Sequence, residues 1–178
     1  AGRPGSDAAK RELQDPRGLD TIMVGGQEYI VIADTGNGRV VVWDTNTRYV
    51  THWQSGDPDA RPAAIAAHPS LAGAFFALDR RAAGDSQLHL FQLVGSTLQE
   101  SSGYPVEVPV GDLADVNEMG LAAIVEQPSG NVVLAMTDAA SGRVLEMTQA
   151  GTDWQVRSFY DHAAGTFAGS ASLSRPSD

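Results

Sequence analysis

The sequence predicts an all-β chain built from about three copies of a four-stranded antiparallel meander. Three observations predict it. Short runs rich in Val, Ile and aromatic residues alternate with turns containing Gly, Asn, Asp and Pro. An aspartate closes the second strand of each copy, at Asp34, Asp79 and Asp138, spaced by about 45 and 59 residues. The turn that follows in the first copy, Asp34-Thr-Gly-Asn-Gly-Arg39-Val, aligns without a gap with Asp138-Ala-Ala-Ser-Gly-Arg143-Val in the third.

Residues 1–15 are small and polar and read as an N-terminal arm or frayed end. The first copy, 16–56, then places strands over 19–24, 28–33, 39–43 and 49–53. Its turns are Gly25-Gly26-Gln27, Asp34 to Gly38 and Asp44 to Thr47, and Gly36, Asn37 and Gly38 are expected to supply positive φ. The second copy, 61–102, has strands over 63–68, 74–78 and 87–93 and a weaker one over 96–100. The third, 119–160, has strands over 121–125, 131–136, 143–147 and 154–159.

Residues 103–118 lengthen the second interval, and their prolines and acidic groups read as an exposed inserted loop. Residues 161–178 form a tail rich in Gly, Ala and Ser: an extra edge strand, a strap on a partner, or disorder. A repeat of about 40–50 residues with four strands is the signature of a β-propeller blade. The fold class is therefore all-β, with propeller-like blades of four-stranded antiparallel meanders that leave the ring incomplete.

Pro16-Arg-Gly-Leu, followed by Tyr29-Ile-Val-Ile-Ala-Asp-Thr-Gly-Asn-Gly-Arg-Val-Val-Val-Trp-Asp44, resembles the NHL repeat. Residues 119–147 keep Gly120-Leu121, Asp138 and Arg143, but Met119 and Ser141 depart from that pattern. Residues 61–92 keep Asp79 without an arginine at the matching offset. The resemblance implies a propeller, commonly six-bladed, on which binding modules, lyases and hydrolases all occur. From the residues themselves, Asp34 and Arg39 would pair across a hairpin turn, contributing about 0–1 kcal/mol if the turn is solvated. Asp34, Asn37, Arg39, Asp138 and Arg143 are the candidate turn or binding-face residues.

Composition narrows the function. The formal net charge is -10, Lys10 is the only lysine, and the arginines are scattered, which disfavours nucleic acid and anionic membrane surfaces. No apolar run reaches the length of a membrane span. The absence of cysteine removes disulfides, thiolate nucleophiles and Cys-containing zinc sites. The opening Ala1-Gly2-Arg3 without Met fits either a processed protein, of an extracytoplasmic or organellar compartment, or a chain cut from a longer sequence, and no compartment is assigned.

Chemistry-bearing motifs are sparse. His52, His68, His89 and His162 form no metal-ligand pair by spacing and read as scattered surface or core-edge histidines. Asp112, Asp115, Asn117 and Glu118 could supply oxygens to calcium but lack EF-hand order, so they read as a solvated acidic loop. No nucleophile elbow or phosphate-binding glycine loop is present. Trp43, Trp53 and Trp154 fall in strands and are expected to pack between blades. No catalytic residue, metal or cofactor is assigned.

Three blades leave open edges, which invite pairing with other chains. The sequence thus points to a non-catalytic protein-binding or scaffold module, a subunit of a larger assembly. Its open edges are expected to be covered by a protein partner or by a second copy, or the chain is a piece of a longer protein that carries the other blades. The rival reading is a metal-dependent lyase or lactonase with its site in the channel of a completed ring.

Overall fold

A computed structural model describes residues 12–46, 48–80, 86–108, 119–126, 128–138, 143–150, 153–161, 166–168 and 171–172. The first sheet runs β1 (Pro16–Val24), β2 (Gln27–Asp34), β3 (Arg39–Asp44) and β4 (Tyr49–Gln54), in that order. The second runs β5 (Arg61–Ala67), β6 (Ala74–Arg80), β7 (Ser86–Val94) and β8 (Thr97–Glu100), with β9 (Val106–Val108) also on β7. The third runs β10 (Met119–Val125), β11 (Val132–Asp138), β12 (Arg143–Ala150) and β13 (Asp153–Asp161). Both β14 (Thr166–Ala168) and β15 (Ala171–Ser172) pair with β13. All pairings are antiparallel between chain neighbours, apart from the strands that share β7 and β13.

These three meanders stack face to face as consecutive blades of a partial β-propeller. Their first strands lie side by side, β1 against β5 and β5 against β10. Blade 2 is therefore apolar on both faces, and the period-2 geometry of a strand sorts its residues. Phe75, Ala77, Phe91 and Leu93 join Ile22, Val31, Ala33, Val40 and Val42 of blade 1. The intervening Ala74, Phe76, Leu78, Leu88 and Leu90 join Val132, Leu134, Met136, Leu145 and Met147 of blade 3. A near-continuous apolar run such as Ala74-Phe-Phe-Ala-Leu78 reads as a strand buried on both sides.

Polar stitches reinforce the seam between blades 1 and 2. The Ala67 amide donates to Asp20 Oδ2 at 2.7 Å, and the Thr35 hydroxyl donates to the Pro62 carbonyl at 2.6 Å. At the inner strands the backbones approach so closely that a Cβ on Gly18 would lie 2.7 Å from Ala64 Cα and 2.9 Å from the Ala63 carbonyl oxygen. That contact explains the glycine, since only backbone atoms would have to yield. Gly18→Ala is expected to lower stability by about 1–3 kcal/mol, as overpacking does. A urea titration checks it.

The segment over 103–118, expected as an exposed loop, is partly strand. Val106 and Val108 are buried in the core between blades 2 and 3. The fourth strand of blade 2 is divided: β8 pairs with Phe91 to Val94, and β9 with Ser86 to Leu88. Alternating Val-Glu-Val supplies a buried-exposed-buried pattern that an irregular loop would not use. Residues 109–118, with the acidic cluster, lie outside the described residues, as do residues 1–11 and His162. The tail adds β14 and β15 as strands beside β13, one of the outcomes its composition left open.

Candidate functional site

The aspartate that recurs in each blade occupies one structural position. Asp34 stands in register with Pro16, Asp79 with Pro62 and Asp138 with Met119, each at the start of its blade's first strand. In blade 1 the carboxylate is fully buried and receives three groups. The Gln14 amide donates to Oδ1 at 2.6 Å, while Arg39 Nε and Asn37 Nδ2 donate to Oδ2 at 2.6 and 2.8 Å. Arg39 Nη2 and Asn37 Nδ2 also reach the Glu12 carbonyl oxygen, at 2.9 and 3.1 Å. Asp34, Asn37 and Arg39 thus clamp the chain just before β1.

The solvated turn expected from sequence is a buried one, because Glu12 to Gln14 fold over it. The positive φ expected at Gly36, Asn37 and Gly38 occurs among them only at Gly38, with φ +62°. Thr35 to Asn37 form a 3-10 turn, and Gly36 answers a different need. Its amide donates to the Gln14 carbonyl oxygen at 2.8 Å, and a Cβ there would lie 2.7 Å from that oxygen.

Blade 2 repeats half of this arrangement. Asp79 Oδ1 accepts the Arg61 amide at 2.6 Å, as Asp34 accepts the Gln14 amide. The residue opposite Asp79 on the neighbouring strand is Gln87, where blade 1 has Arg39 opposite Asp34. His89 stands one step diagonally along β7, with Nε2 at 3.8 Å from Asp79 Oδ2. His89 Nδ1 lies 2.6 Å from Glu100 Oε1. Its ring stacks on Phe91 and contacts Trp53 of blade 1, with centroids 5.5 and 5.0 Å apart. Burial lowers the His89 pKa, but the hydrogen bond to Glu100 and the negative charges of Glu100 and Asp79 outweigh it, so the net shift is upward.

In blade 3 the backbones of Asp138 and Arg143 pair directly, in the register that Asp34 and Arg39 share. Their side chains lie outside what the structure describes. His68 caps the turn after β5: its Nδ1 accepts the amides of Ser70 and Leu71 at 3.2 and 3.1 Å, and burial lowers its pKa. It borders an open groove of about 320 Å³ between β1 and residues 67–74. His52 Nδ1 bonds the Tyr49 hydroxyl. Among the described residues no three His, Asp or Glu side chains converge as metal ligands. Trp53 and Trp154 pack between blades as expected, whereas Trp43 faces away from blade 2.

The outward faces of the two terminal blades carry exposed apolar side chains. Leu19 and Met23, 70% and 51% exposed, alternate along β1 with Ile22 and Val24, which pack on blade 2. Ile124 and Val144, 60% and 39% exposed, alternate with Ala123 and Leu145, which face the core shared with blade 2.

No protein-family model matches the chain, and no curated protein matches its sequence. Among solved structures 18 chains match. One is the WD40 domain of SCAP from fission yeast, 10% identical, with a TM-score of 0.42 over 90% of this chain and 43% of that one. The chain thus spans less than half the length of that domain.

Proposed function

We propose that this chain is a non-catalytic protein-binding and scaffold module, NHL-like in its blades, whose outer sheet faces dock on a second copy. The observation that carries the reading is the apolar exposure on both outward faces, at Leu19 and Met23 and at Ile124 and Val144. Large exposed apolar patches mark interaction sites.

The repeat supports the choice of occupant. The buried aspartate marks a side of each blade: Asp79 faces blade 1, so the corresponding side of blade 1, bearing Asp34, is the one that would receive a preceding blade. The face offered by that preceding blade would correspond to the outward face of blade 3. One copy's blade 3 therefore fits another copy's blade 1, head to tail. Two such contacts would close a ring of six blades, within the usual range of about four to eight. Asn37 and the turns flanking Asp34 and Asp138 would then rim one end of the ring.

Light scattering on a sizing column tests this. A dimer is expected. Leu19→Asp and Ile124→Asp should each weaken it about tenfold or more, roughly 1.4 kcal/mol, while leaving the folded chain within about 0.5 kcal/mol, as surface changes do. A wild-type chain that stays monomeric at high micromolar concentration would overturn the second copy as occupant.

A further inference from the structure

The two buried aspartates described above differ in the chemistry of their counterions. Asp34 is held by a guanidinium, which stays charged at any pH a protein experiences. Asp79 is equally buried, and the position across from it holds the neutral Gln87. An ionised carboxylate in such a place requires a positive partner or full hydrogen bonding. His89 Nε2 lies 3.8 Å from Asp79 Oδ2, and histidine is a side chain that titrates in the physiological range.

We propose that His89 is a proton-operated latch inside blade 2, at its seam with blade 1. As imidazolium it gives Asp79 the positive charge that Arg39 gives Asp34, and at the same time ties β8 to β6 through Glu100.

The surroundings favour this role. His89 is 2% exposed, so its charge is little screened by solvent. Its Nε2 has no hydrogen-bond partner among the described residues and is directed at Asp79 from 3.8 Å, while Nδ1–H donates to Glu100 at 2.6 Å. Both ring nitrogens thus face carboxylates, the donor pattern of the protonated ring. Of the elements packed around it, β6 presents Asp79 and β8 presents Glu100. The β4 strand presents the Trp53 ring, and β7 itself presents Phe91. Arg61 of β5 turns its guanidinium to the carbonyls of Pro58 and Ala60, leaving only its amide on Asp79. Trp53 belongs to blade 1, so a change of charge on His89 acts directly on the seam.

The upward shift of the His89 pKa sets the pH window. A group whose folded-state pKa is raised contributes its full stabilisation below its unfolded value of about 6.5, and loses it as pH rises through the folded value. The latch is therefore closed in mild acid and released toward alkaline pH.

An NMR titration of the full chain, following the imidazole carbon-bound protons, tests the proposal. His89 is expected to titrate above the ordinary imidazole value while His68 titrates below it. Glu100→Gln, at a partly exposed position, should move the His89 midpoint down measurably, and His89→Gln should flatten the fall in urea midpoint between mildly acidic and alkaline buffer. The proposal is overturned if His89 titrates at or below the ordinary value, or if Glu100→Gln leaves its midpoint in place. Should His89→Gln fail to fold, the titrations of the wild type and of Glu100→Gln still decide.

Discussion

Asp34→Ala is expected to destabilise the chain by about 3–5 kcal/mol, the usual loss when one partner of a buried ion pair is removed. The size follows from what remains. Arg39, itself buried, would keep its charge without the carboxylate 2.6 Å from Nε. The Gln14 amide and Asn37 Nδ2 would also lose this acceptor, leaving the segment over Glu12 to Gln14 held to the turn through its carbonyls, by Gly36, Asn37 and Arg39. Against a total of about 5–15 kcal/mol for a folded domain, that is a large fraction. Urea unfolding followed by circular dichroism measures it. A loss under about 1 kcal/mol would mean that the pair behaves as an exposed surface bridge. Arg39→Met in the same background separates the terms: removing both charges should cost less than removing the carboxylate alone.

Phe76→Ala should produce a loss of similar size, about 3–5 kcal/mol, through a cavity between blades 2 and 3. The ring is fully buried within the larger apolar cluster. It meets Trp154 edge-on with centroids 5.7 Å apart and stacks on His68 at 5.2 Å. Aromatic pairs of this kind add about 0.5–1.5 kcal/mol beyond the area they bury. Because Trp154 also donates to the Tyr104 hydroxyl at 3.0 Å, the cavity should disturb the connection that leads from β8 to β9. Phe76→Leu should recover most of the loss. Equal destabilisation by both substitutions would point to ring-specific contacts as the source of the effect, not to volume.

These two positions illustrate different degrees of legibility. Phe76 lies in a run that alternates toward two cores, and an apolar run of that length bounded by turns already indicates a strand buried on both faces. Asp34 and Arg39 were visible as a pair from their spacing around a hairpin, but their burial was not. That depends on Glu12 to Gln14 folding back over the turn, a contact made by about twenty residues of intervening chain. The lack of an arginine at the matching offset after Asp79 was likewise visible. What replaces it was not, because Glu100 and His89 are brought together only by the pairing of β7 with β8 and the packing of Trp53 across the seam.

The sequence by itself determined the strand pattern, the hairpin turns, the repeat of the closing aspartate and the division into three meanders. All of these follow from local backbone preference and period-2 alternation, which act over a few residues. The tertiary structure alone decided that β9 splits the last strand of blade 2, that Gly18 is held by the approach of β5, and that His89 answers Asp79. It also decided which alternate residues remain exposed on the outer blades. Those features depend on distances between sheets and on which charges share a buried seam, quantities set by packing between blades that no local run of residues encodes.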